Sequence, residues 1–538
     1  MSACPGLTNA IRFDLPPAEM EELMTAASAV LLDRFRHPAN ETVATLDRAR
    51  IEAMLPASAP RDGGGAEALR RILADEFLPL LRDYRHPLHL GHQRPAPSFA
   101  SFYADMAAAA FNPTVTMFEG GPYSVAVEGR VLAWMKQLVG YPEDAIASLV
   151  NGGADANLTA LMVARDVALA AGVDRGKLCV LAGEHAHYTI ARSHHVLGLP
   201  TALIPVASRD DLSLDPDALA REVARATKSG RHVMAIVAAS GSTANGAFDD
   251  LGAIRRIVDS CGAWLHVDAA HGGAALLSDH LKPLVAGIAA ADSVAINPHK
   301  MFFVSSPCSV LLCRRRAAFA ASLGIGLESA DYVLPDPTDL VMQSDGDEPL
   351  RWTLSCTRFF AAFRLYAAIS AYGLDGIAAR VEHCCARTRD LAAILGRQAD
   401  FEILAPPAFN MLCFRYRPSG FAMAGLDALN KVLRSTLAAG PDAYLTGCSA
   451  RGSYWLRAQI MGAFVTPEAL VTLPDILRRI AAPIIADMQQ GVTDDSYLQP
   501  DRDSGETSGH VVRERPAPPY AFLPASPRVD SRGGDRAA

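Results

Sequence analysis

From Pro17 to Phe35 the apolar residues Met20, Leu23, Met24, Ala27 and Val30 or Leu31 return at intervals of three and four, which is one face of a helix. The same period predicts helices over Ala66–Tyr84 and Tyr123–Val139, so the first 85 or so residues read as helical. Between Pro87 and Pro113 the chain is rich in His, Pro and aromatic residues, the composition of a structured loop region. The centre has a different rhythm. Short apolar runs of strand type stand at Leu178–Ala182, Val233–Ala239, Ala263–Val267, Ser293–Ile296 and Ser309–Cys313, with helical segments such as Leu158–Ala171 and Pro216–Thr227 among the earlier ones. Strands alternating with helices predict an α/β fold with a mostly parallel sheet covered on both faces, and such sheets bind ligands beyond the carboxyl ends of their strands.

A long helix from about Thr357 to Tyr372 is expected to leave this domain, and helices with strands at Asn410–Tyr416 and Tyr454–Met461 predict a smaller α+β domain. After about Gly491 the chain turns to Asp, Arg, Ser, Gly and Pro, the composition of a disordered tail. The expected division is therefore an N-terminal helical segment (1–85), a large domain (86–375), a small domain (376–490) and a tail (491–538). No internal repeat is present.

Composition narrows the function. Half of the 538 residues are apolar and a fifth are charged, enough to bury a large core and to exclude wholesale disorder. The net charge is −8, and only six of the 50 basic residues are lysine, with no basic stripe, so nucleic-acid binding is not expected. The longest apolar candidate for a membrane span, Leu284 to Ile296, is interrupted by Asp292, and no membrane association is expected. The N-terminus is acidic and unlike a secretory signal. The ten cysteines are scattered, without metal-type CxxC spacing. Those in apolar runs (Cys179, Cys308, Cys313, Cys413) read as buried reduced thiols, so a cytoplasmic location and no metal are expected.

The chemistry concentrates in AWLHVDAAHGG (263–273) and SVAINPHKMFF (293–303). Each starts as a strand and ends in polar residues, which sets Asp268 and Lys300 just past two strand ends, joined by a helix-sized crossover onto one rim. A lysine partly desolvated there loses basicity and suits Schiff-base chemistry, and a carboxylate beside it can keep a pyridine nitrogen protonated. An ion pair closing a loop would use the same two residues, so the neighbouring motifs decide. VNGGADAN (150–157) is a Gly-rich turn running into a helix, whose free N–H groups suit a phosphate. Ser240, Gly241, Ser242 and Thr243 follow another strand, and His187 follows the Leu178–Ala182 strand, where it can cover a cofactor ring.

In this order the motifs resemble those of the group II pyridoxal phosphate (PLP)-dependent amino-acid decarboxylases, the family of glutamate, aromatic-amino-acid and histidine decarboxylases. The likeness runs from about His86 to Thr466 and takes in SGSTANGAFDDL (240–251), the arginine-containing segment 351–377 and YWLRAQIM (454–461). It implies the aspartate aminotransferase fold (fold type I) and a homodimer in which the N-terminal segment packs between subunits. It implies Lys300 as the cofactor-bearing lysine, Asp268 as partner of the ring nitrogen, His187 stacked on the ring and Ala270 on its other face. Ala154, Asp155, Asn297 and His299 fall where the family holds the phosphate, and Thr243 falls near the ring substituents. Arg457 falls where some members bind the substrate carboxylate, and His92, with His271, Phe99, Phe102 and Tyr103, is expected to shape the substrate pocket. Three departures stand out. Ala154 and Asp155 replace the usual hydroxyl residue, and Met301 replaces an aromatic one. The stretch between Tyr332 and Trp352 lacks the family's loop tyrosine, with Ser344 near its place. The expected reaction is decarboxylation of an L-amino acid to its amine, with His187 or a group on the 333–350 loop as proton donor. The missing tyrosine keeps aldehyde formation, transamination or another lyase reaction in view. A non-catalytic regulator is disfavoured by the presence of both Lys300 and Asp268.

Overall fold

Seven strands form the main sheet: β1 (Ile146–Val150), β2 (Leu178–Gly183), β3 (Ile204–Val206), β4 (His232–Ala239), β5 (Trp264–Asp268), β6 (Ser293–Ile296) and β7 (Ser309–Cys313). They lie in the order β1-β7-β6-β5-β4-β2-β3 in a computed structural model that describes residues 15–42, 48–325 and 348–490. The strands from β6 to β3 pair in parallel, and β7 runs antiparallel to both β6 and β1. All strands but β7 therefore point the same way, and the carboxyl ends of β1, β2, β4, β5 and β6 share one edge.

The sheet is buried on both faces, which explains why its strands read as continuous apolar runs rather than alternating ones. In β4, Ile236 and Ala238 face one layer while Ala235 and Val237 face the other; in β7, Val310 and Leu312 oppose Leu311 in the same way. Helices Pro122–Val139 and Leu251–Cys261 pack in the first layer, and Gly153–Ala170 in the second. A second sheet has the order β10-β11-β9-β8, with β8 Phe401–Ile403, β9 Met411–Tyr416, β10 Thr446–Ala450 and β11 Ser453–Gln459.

The predicted central strands are all present, and the structure adds β1, β3, β8 and β10, which the apolar pattern does not predict. The polypeptide between β5 and β6 also departs from expectation. It forms three short 3₁₀ turns (Gly272–Leu277, Lys282–Val285, Ile288–Ala290) instead of an α-helix. Its three glycines (Gly272, Gly273 and Gly287) and Pro283 explain this, since both residue types are poor helix formers. The helix expected to end near Tyr372 instead continues as Ala361–Gly396, broken at Gly373, whose φ of 67° an L side chain rarely adopts. Asp292, which interrupts the longest apolar run, is buried and answers Arg255 at 3.1 Å, Arg315 at 2.6 Å and the Leu265 N–H at 2.9 Å. Among the described residues no helix is long and apolar enough to cross a membrane. Residues 1–14 at the N-terminus, Ser344 with residues 333–347 of the loop, and the 491–538 tail lie outside the described residues.

Candidate active site

Two motifs are locked together before any side chain is considered. The Ser240 N–H donates to the Asp268 carbonyl at 2.9 Å and the Gly272 N–H to the Ser240 carbonyl at 3.0 Å, which joins the loops after β4 and β5. A Cβ on Gly272 would stand 2.4 Å from the Ser240 oxygen, so SGST and DAAHGG both need their glycines at this crossing.

The loops enclose a cavity of about 650 Å³, within the range of small-molecule sites. Its wall includes His92, Ala154, His187, Thr243, Asp268, Ala270, Asn297, His299 and Lys300, all of them expected from the sequence to belong to the site. Asp155 and Arg457 are not part of that wall. Asp155 lies in the first turn of helix Gly153–Ala170, where a carboxylate complements the helix dipole. Arg457 is buried; it donates through Nε to Thr446 Oγ1 at 3.0 Å and through Nη1 to the Thr243 carbonyl. The other residues expected around the substrate also sit elsewhere. Phe99 and Phe102 pack on Phe35, with ring centroids 5.5 and 5.2 Å away, Tyr103 is exposed, and buried His271 bonds Asn410 Oδ1 through Nε2 at 2.7 Å. Their helix or loop neighbours, not the strand edge, decide where they point.

Asp268 is held by the backbone of Ala270 and by the side chain of Asn157, to which the sequence gives no role. Its Oδ1 accepts from the Ala270 N–H at 3.1 Å and its Oδ2 from Asn157 Nδ2, also at 3.1 Å. The surrounding network has one consistent direction. Trp264 Nε1 donates to Ser293 Oγ at 2.8 Å, Ser293 Oγ to His266 Nδ1 at 2.9 Å, and His266 Nε2 to Asn157 Oδ1 at 2.9 Å. Complete burial lowers the His266 pKa to about 4, so the ring is neutral and can play both parts. Asn157 Nδ2 also reaches Thr189 Oγ1 at 3.0 Å, and that hydroxyl donates to His187 Nδ1 at 2.7 Å. His187 is thereby left with its proton on Nε2. Burial lowers its pKa as well, against the opposing charge of Asp268.

Lys300 Nζ donates to Gln93 Oε1 at 3.0 Å, and the same oxygen accepts from Thr243 Oγ1 at 3.2 Å. Burial brings the lysine down from 10.5 to about 8, with Asp268 acting to raise it and Arg457 to lower it. His299 is held near 4, chiefly by burial, and its Nδ1 lies 2.6 Å from the Cys308 carbonyl.

Gln93 and Asn157 carry no local signature of these roles. Asn157 ends VNGGADAN one helical turn after Gly153, and Gln93 follows His92. A polar amide on an otherwise apolar helix face sets Asn157 apart without naming its partner. Asn157→Ala would leave Asp268 Oδ2 and His266 Nε2 short of a partner, so a loss of about 1–3 kcal/mol in denaturant unfolding is expected. Unchanged stability would remove Asn157 from this role.

The wall fits a phosphorylated pyridine aldehyde. Asn297 Oδ1 and Gln93 Nε2 are buried there without protein partners. The N–H groups of Gly153, Ala154 and Asp155 stand in the first turn of a helix and have no acceptor within it. A Cβ on Gly153 would come within 3.0 Å of Asn297 Nδ2, so the turn is kept small where the amide faces it.

Comparison with known proteins agrees with this geometry. The family described as "Pyridoxal-dependent decarboxylase conserved domain" matches residues 50–417. The L-2,4-diaminobutyrate decarboxylase of Rhizobium meliloti (strain 1021) is 30% identical over 403 residues, 74% of this chain and 78% of the relative. The phenylacetaldehyde synthase of a Rosa hybrid cultivar is 25% identical over 436 residues, 78% of this chain and 84% of the relative. Among solved structures, Oryza sativa TDC with PLP and tryptamine superposes with a TM-score of 0.80 at 20% identity, covering 87% of this chain and 99% of that one. This likeness shows the fold, that of the PLP decarboxylases.

Proposed function

The chain belongs to the pyridoxal-dependent decarboxylase family, and from that premise we propose that it removes the α-carboxylate of an L-amino acid as carbon dioxide and releases the amine. The observation that carries this reading is Lys300 with its amine lowered to about 8, on the same cavity wall as Asp268. Pyridoxal 5′-phosphate, when bound, supplies the electron sink for the pair left as the Cα–carboxylate bond breaks. Lys300 holds the cofactor through its amine, and Asp268, fixed by Asn157 and Ala270, keeps a proton on the pyridine nitrogen. Ala154, Asn297 and the first-turn N–H groups hold the phosphate. His187 would cover one ring face and Ala270 the other, and His187 Nε2–H would return a proton to the substrate carbon.

A nucleophilic lysine must be neutral, so uptake of added PLP by the cofactor-free protein accelerates as pH rises and levels off above about 8. Stopped-flow absorbance measures it. A rate still climbing steeply at pH 10 would mean that Lys300 keeps its ordinary basicity.

The decisive test of function is product analysis over a panel of L-amino acids with the PLP-loaded protein. Amine and carbon dioxide in equal amounts support the proposal, and no product from any member would sink it. The chain has no tyrosine between Tyr332 and Trp352, and this favours a second reading in which the product is an aldehyde. An aldehyde in the same assay would establish that outcome.

A homodimer is supported by the apolar side chains that the helices Phe99–Phe111 and Pro122–Val139 leave exposed, with Phe111 86% accessible and Tyr103 and Tyr123 each 60%. Light scattering giving one-chain mass would refute it. The nine free cysteines among the described residues support the reducing cytoplasm as its compartment, which cell fractionation would test.

A further inference from the structure

A second cavity, of about 430 Å³, lies beside Phe302 and Phe303, two and three residues beyond Lys300. Phe35, Phe99, Phe303 and Phe464 supply much of its wall, and it also carries two guanidinium groups. One of them is already answered. Arg85 donates to both carboxylate oxygens of Asp83, at 2.9 and 2.8 Å, and to the Arg34 carbonyl. Arg380 has no such counterpart. Its guanidinium lies over the Phe303 ring, 4.2 Å from the centroid, and its Nε is buried without an acceptor. Among the described residues no carboxylate pairs with it. The groups that favour its charge are Cys384 and Tyr372, neither of them a carboxylate, while burial disfavours it.

A cation in an aromatic pocket without an acidic partner is unfavourable unless an anion completes it. The rings offer apolar contact to the rest of such a ligand, and the volume suits a small molecule. We propose that this cavity binds a small organic anion, an arylcarboxylate of about the size of phenylacetate, with its carboxylate on Arg380 and its ring among Phe35, Phe99 and Phe464. The site is distinct from the Lys300 cavity and does not depend on the decarboxylase reading. The Phe303 N–H donates to the Lys300 carbonyl at 3.2 Å, so the ligand sits against the turn that carries the lysine.

Isothermal calorimetry on the PLP-loaded protein tests this with phenylacetate, its neutral counterpart phenylacetamide, and Arg380→Met. Binding of phenylacetate is expected with Kd below about 1 mM. At least tenfold weaker binding is expected for phenylacetamide and for phenylacetate with Arg380→Met. No heat with the native protein, or equal affinity for the acid and the amide, overturns the proposal even if the variant does not fold. Phenylacetate affinity unchanged in a folded Arg380→Met would place the probe elsewhere and also overturn it. A lowered melting temperature in that variant with unchanged affinity would assign Arg380 to packing on Phe303.

Discussion

Lys300→Ala is expected to lose amine formation by on the order of 10⁴-fold or more, because removal of a covalent catalytic group leaves only binding and electrostatic assistance. The fold is expected to survive. The lysine amine makes one hydrogen bond, to Gln93 Oε1, and burial penalises its charge, so alanine removes little that stabilises the native state. Two measurements separate chemistry from folding: turnover with saturating PLP, and fixation of the cofactor by borohydride. Native protein is expected to retain cofactor through denaturation after reduction, and the variant to lose it. A variant that kept more than about a hundredth of native turnover would show that another group carries the reaction.

Asp268→Asn is the second large effect. The change is nearly isosteric, and an amide oxygen still accepts from the Ala270 N–H or from Asn157, so the loops after β4 and β5 are expected to stay in place. The negative charge is what disappears. A neutral amide cannot hold a proton on the ring nitrogen, and turnover is expected to fall about 10³-fold, in line with removal of a preorganised electrostatic group. A second readout follows from the sign of the charge interaction. Asp268 raises the Lys300 pKa against the burial that lowers it, so without the carboxylate the lysine drops further below about 8. Cofactor uptake by Asp268→Asn should therefore level off at a lower pH than in native protein, even as turnover collapses. An unmoved pH profile would separate Asp268 from the lysine and overturn this account.

These two residues were legible because each lies immediately past an apolar strand run, where period and polarity change together. The α/β class, the five central strands and the Gly-rich turn were legible for the same reason: they depend on neighbours within a few residues. The substrate side was less so. His271 and Phe99 are as histidine- or aromatic-rich in their surroundings as any pocket residue, yet one is sealed against Asn410 and the other packs on Phe35.

What the sequence by itself determined is the five central strands, the edge at which the parallel ones among them end, and Asp268 and Lys300 standing on that edge. Only the tertiary structure decided what surrounds them. Lys300 meets Gln93 across 207 positions of chain and His266 meets Asn157 across 109, contacts that no local period encodes. The same holds for Arg457, which turns its guanidinium to Thr243 and Thr446 rather than to the cavity. Apolar periodicity records which face of an element is buried. The partner of a buried polar group is chosen by which distant element arrives beside it, because leaving that group unpaired costs more than the packing around it can return.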